Sequence, residues 1–167
     1  GALKSYGRAL AIREKALGPD HPDTVGLRVN IANVQQELGR YAEAEANYQA
    51  ALPAYRRAFG EQSENVAMVL GNLGALRRKT GLYAQALAFY DQALAIRATI
   101  HAPPESIADL HYNTCYVYMD LELAEDALAS CQQALDIFTT TLPAGHPKFA
   151  TVESMRAGAD RKSTRLN

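Results

Sequence analysis

Apolar residues recur along this chain at three- and four-residue steps, as in Leu87-Tyr90-Leu94, which is one face of a helix. The pattern is interrupted at regular intervals by helix breakers. Gly39 and Gly81 stand where a helix must stop, because glycine tolerates the left-handed backbone just past a helix end. Pro22 and Pro147 stand where helices start, since proline fits the first turn, and Asp20 or His21 can cap that start. The pattern predicts helices over 2–17, 22–38, 41–59, 64–80, 83–101, 105–121, 124–141 and 147–158.

The interruptions are periodic because the sequence repeats. NIANVQQELGRYAEAEANYQAAL, from Asn30, lines up with NLGALRRKTGLYAQALAFYDQAL, from Asn72, at a displacement of 42 residues. Gly39 falls on Gly81, Tyr48 on Tyr90 and Ala51 on Ala93. A third copy from Asn113 is displaced by 41, with one residue missing near Ala102-Pro103-Pro104. Small residues share a position on the first helices (Ala32, Gly74, Cys115), and Tyr48, Tyr90 and Cys131 share one on the second. Small side chains let paired helices approach, and the tyrosines fill the wider gaps. A single hairpin cannot bury its apolar face, but stacked hairpins can. The predicted architecture is all-α: a right-handed superhelical solenoid of antiparallel hairpins with about eight helices and a concave groove.

The Glu-Ala, Gly-x-Tyr and Tyr-x-x-Ala-Leu landmarks resemble those of the tetratricopeptide repeat. The 42-residue length, with ALAIREKALGPDHPDTV joining units, resembles the kinesin-light-chain type. The resemblance covers about Ala2 to Ala157 and implies a half repeat at 1–20, repeats at 21–62, 63–104 and 105–145, and a partial repeat at 146–159. The third repeat departs from the pattern: Glu122-Leu123-Ala124 replaces Gly-x-Tyr, so a tighter, fully helical or looser turn is expected there. Both ends fall inside a repeat, so a fragment of a longer bacterial protein is expected, with fraying or end-to-end self-association of the exposed terminal helices. The last eight residues, DRKSTRLN, do not fit the repeat. They coincide with the translation of one frame of a widely used sequencing adapter. The stretch 160–167 is accordingly read as a non-native tail, disordered or extending the last helix, with a natural basic tail as the alternative.

Composition narrows the function. A net charge of −1 gives no global attraction to nucleic acid or to an anionic membrane, and no apolar run approaches a membrane span. Two cysteines make no disulfide framework, so a reducing, cytoplasmic setting is the default. Cys115 and Cys131 occupy packing positions in one hairpin and are expected to be buried free thiols rather than a redox switch. The histidines His21, His101, His111 and His146 have no second ligand at metal-binding spacing. No nucleophile elbow, phosphate loop or dinucleotide fingerprint occurs. No enzyme, cofactor or metal is expected.

In proteins with this type of repeat, the first helices line the groove, and an Asn at the position of Asn30, Asn72 and Asn113 hydrogen-bonds a bound peptide. A side-chain amide both donates and accepts, so it suits an extended backbone. The same register gives Asn33, Gln36, Arg78, Tyr112 and Tyr116 as further candidates. Arg77-Arg78-Lys79 beside Tyr112, Tyr116 and Tyr118 suits a peptide with an acidic residue and an apolar or aromatic anchor. Alternatively, the basic run complements the carboxyl end of its own helix. The resemblance implies a protein–protein interaction scaffold. The alternative is a sensor module within a larger kinase or transcription regulator.

Overall fold

The computed structural model describes residues 1–166, and the prediction for the tail at Asn167 lies outside them. Its eight helices are α1 (Ala2–Leu17), α2 (Pro22–Glu37), α3 (Tyr41–Phe59), α4 (Glu64–Lys79), α5 (Tyr83–Thr99), α6 (Pro104–Asp120), α7 (Ala124–Thr141) and α8 (Pro147–Leu166). Seven of them lie within two residues of the predicted limits. The eighth continues past residue 158 through the unrepeated tail, so that stretch extends the helix.

Local chemistry accounts for the starts. The His21 Nδ1 accepts the Asp23 N–H at 3.2 Å, and the His146 Nδ1 accepts the Lys148 N–H at 3.2 Å. The His-Pro pairs are therefore caps, with the imidazole taking one otherwise orphaned helix N–H. The stops inside the hairpins are equally uniform. Gly39 and Gly81 take φ of 74° and 77°. The following N–H groups, of Arg40 and Leu82, reach back to the carbonyls of Gln35 and Arg77, each at 2.8 Å.

The third hairpin was expected to turn differently, and it does not. Glu122 adopts a φ of 60°, and Leu123 N–H bonds the Tyr118 carbonyl at 2.9 Å. The helix–helix geometry demands the left-handed residue whether or not glycine supplies it. A glutamate with a Cβ is disfavoured there by about 1 kcal/mol, and its exposed carboxylate gains only a 3.7 Å approach from Lys162. Glu122→Gly should therefore raise stability by roughly 1 kcal/mol. An unchanged or lower urea midpoint would contradict this.

Each helix packs against its sequence neighbours. In addition, α2 touches α4, α4 touches α6 and α6 touches α8, whereas no two of α1, α3, α5 and α7 touch among the described residues. The even helices are thus crowded together on the inner side, and the array curves around them. The core divides in two. One cluster joins α2 to α5 and reaches Leu110 and Val117 of α6, built on Tyr48, Tyr90, Leu70 and Leu76. The other joins α6, α7 and α8 and is mostly small: Ala108, Cys115, Ala127, Cys131 and Ala134, with Phe138, Leu135 and Val152 as its large members.

One expectation is overturned here. Cys115 and Cys131 are not free thiols but a disulfide joining α6 to α7. The sequence placed them at packing positions on the two helices of one hairpin, and the helix separation brings their Cα atoms to 5.3 Å, within bridging range. A reducing compartment accordingly no longer follows from the cysteines. No helix among the described residues is long and apolar enough to cross a membrane.

Candidate concave interaction face

The inner face is built from α2, α4 and α6, and each helix gives it a different character. On α2, Asn33 is exposed and acts as a hub. Its Oδ1 accepts the Tyr48 hydroxyl at 2.6 Å and the Asn72 Nδ2 at 3.2 Å, tying α2 to α3 and α4. Burial pushes the Tyr48 phenol above its ordinary pKa, so it stays protonated and keeps donating. Gln36 is nine-tenths buried and its Oε1 has no partner among the described residues, while Val29 is buried completely. Gln36 therefore does not face open solvent as the register suggested.

The three equivalent asparagines part company. Asn72 is held by Asn33. Asn30 is exposed and borders a cavity of about 390 Å³ floored by Leu27, Tyr55 and Phe59, with Asn65 across it. Asn113 is half-buried, and neither it nor Asn30 makes a side-chain hydrogen bond among the described residues.

The basic run is fully engaged, each residue by a different helix. Arg77 turns away from the face and grips Glu45 of α3 with both terminal nitrogens, at 2.8 and 2.5 Å. These hydrogen bonds hold the Glu45 carboxyl below its usual 4.5, against the opposing effect of burial. Arg78 donates to Asp120 of α6 at 2.7 Å and lies over the Tyr116 ring, 4.4 Å from its centroid. Lys79 reaches Glu37 of α2 at 3.2 Å. Neither reading of this run anticipated these partners. Asp120 and Glu37 were not singled out, although the period offered a signal: Glu37, Lys79 and Asp120 share one register position.

On α6, Tyr112 and Tyr116 pack edge to face with centroids 4.9 Å apart, and their hydroxyls meet at 2.9 Å. Desolvation and that shared bond push the Tyr112 phenol up. Contacts between helices thus join Asn33 to Asn72, and Arg78 to the Tyr112–Tyr116 pair. Among the described residues no group of His, Cys, Asp and Glu is arranged to hold a metal ion.

Comparison with known proteins agrees with this geometry. Two tetratricopeptide repeat family models match, one over residues 23–99 and one over 1–23. No curated protein sequence matches the chain significantly. Among solved structures, BtubC (BKLC) from P. vanneervenii is 28% identical with a TM-score of 0.77, over 87% of this chain and 58% of that one. The chain thus spans little more than half of that protein's length. A protein described as a kinesin light chain with nearly identical TPR-like repeats, from Podospora anserina, is 19% identical with a TM-score of 0.77. That match covers 98% of this chain and 78% of the other. The N-terminal domain of stress-induced protein-1 from C. elegans is 13% identical with a TM-score of 0.59, over 80% of this chain and 94% of the domain. The last two likenesses concern the fold alone. Such repeats are in general protein–protein interaction modules. The chain belongs to the tetratricopeptide repeat family, with a kinesin-light-chain-like arrangement of its repeats.

Proposed function

We propose that the inner face takes an extended segment of a partner protein, with Asn30 and Asn113 contacting its backbone. The carrying observation is the difference among the equivalent asparagines: Asn72 is spent on Asn33, whereas Asn30 and Asn113 leave their amides unpaired on the curved-in side. The cavity beside Asn30 and the tyrosine pair on α6 offer two places for apolar or aromatic anchors, one at each end of the segment. An acidic residue of the partner can use Arg78 only by displacing Asp120, so anchors and backbone contacts contribute more than charge.

The reading is tested by recovering ligands from a peptide library and measuring their affinity for Asn30→Ala/Asn113→Ala. Losing two amide contacts of about 1 kcal/mol each predicts roughly a tenfold or greater rise in Kd. The substitutions break no side-chain hydrogen bond among the described residues, so folding should be preserved. Unchanged affinity for every recovered ligand would refute the groove reading.

A further inference from the structure

The small-plus-tyrosine pair that closes the first two hairpins is replaced in the third by two cysteines. Ala32 faces Tyr48, Gly74 faces Tyr90, and Cys115 faces Cys131 at the same register. A cysteine pair has far less volume than a small residue with a tyrosine ring. The bond between the sulfurs therefore does in this hairpin what an aromatic ring does in the other two. Four other buried members of its cluster are alanines, and Phe138 is the one aromatic among those buried members.

We propose that the Cys115–Cys131 bond is a reversible redox staple: a dithiol reductant releases α6 from α7 and leaves α2 to α5 folded. The reductant's thiolate attacks one sulfur, the Sγ–Sγ bond breaks, and a mixed disulfide forms. The second reductant thiol then closes its own disulfide, leaving two protein thiols. Two electrons pass from the reductant to the protein, and a low-molecular-weight disulfide reverses the exchange. Both sulfurs are fully buried, so attack follows local opening of the hairpin. Both sulfurs belong to the second core cluster, and the first cluster reaches α6 only through Leu110 and Val117, so the effect centres on α6–α8. Tyr112 and Tyr116 stand on α6 within one turn of Cys115, so the tyrosine step loosens with it. This inference does not depend on what the inner face binds.

The experiment uses the full chain, oxidised and then treated with dithiothreitol, with hydrogen exchange read helix by helix. A disulfide closing a loop this short predicts a fall in Tm of about 6–12 °C on reduction. Exchange should rise in α6 and α7, stay constant in α2 to α5, and recover on reoxidation by glutathione disulfide. Cys115→Ala/Cys131→Tyr, which restores the pairing of the first hairpin, should keep α6 and α7 protected and ignore the reductant. Cys115→Ser/Cys131→Ser should match the reduced protein and supplies the reductant-insensitive reference if the first variant does not fold. Intact mass showing two thiols after the disulfide treatment overturns the proposal. So does unchanged exchange in α6 and α7, or an equal rise throughout α2 to α5.

Discussion

Tyr90→Ala should destabilise the array by about 3–5 kcal/mol, the range for removing a large buried aromatic side chain. Tyr90 is 1% exposed, its ring lies directly on Gly74 of α4, and buried Ala86 and Ala93 stand one turn to either side on its own helix. Small residues cannot swing into the space left behind, so the transfer loss is joined by a cavity term rather than relieved by collapse. Because each hairpin touches only those near it, hydrogen exchange should quicken first in α4 and α5 and spread outward. Urea unfolding gives the magnitude. A loss below 1 kcal/mol would mean that the ring is not the element holding this hairpin shut.

Gly74→Ala acts on the same contact from the opposite helix. A Cβ at residue 74 would lie 2.5 Å from Cε1 and 2.7 Å from Cδ1 of Tyr90, closer than carbon atoms approach. In an ordinary helix interior, alanine would be the better residue by roughly 1 kcal/mol. Here the ring is boxed in, so overpacking should outweigh that gain and leave a net loss of about 1–3 kcal/mol. In a Tyr90→Leu background the clash disappears and the same change should become neutral or stabilising. A double-mutant cycle showing additivity would exclude a direct contact between the two positions.

The hairpin architecture was legible in the sequence because its determinants are local. A glycine or proline at a fixed spacing ends or starts a helix wherever the rest of the chain goes, and apolar periodicity marks the faces that pack. That Asn30, Asn72 and Asn113 share one repeat position followed from register alone. What escaped depended on distances between helices. Whether Arg78 faces a ligand or Asp120 is decided by the angle between stacked hairpins, which no single repeat encodes. The disulfide escaped for a related reason: spacing put the two cysteines at packing positions of one hairpin, but only the closeness of α6 and α7 decides whether they bond. Glu122 escaped because its sequence lacks the glycine that normally announces a left-handed residue, while the packing of α6 on α7 imposes one.

The shared position of Glu37, Lys79 and Asp120 has a consequence for how the repeats hold their stacking. Glu37 is paired with Lys79 of the next repeat, and Asp120 with Arg78 of the preceding one. Sliding one hairpin along its neighbour therefore pulls an ion pair apart at each junction. The partners lie well inside the screening length of about 8 Å at physiological salt, so salt weakens this brake less than it would weaken a longer-range attraction.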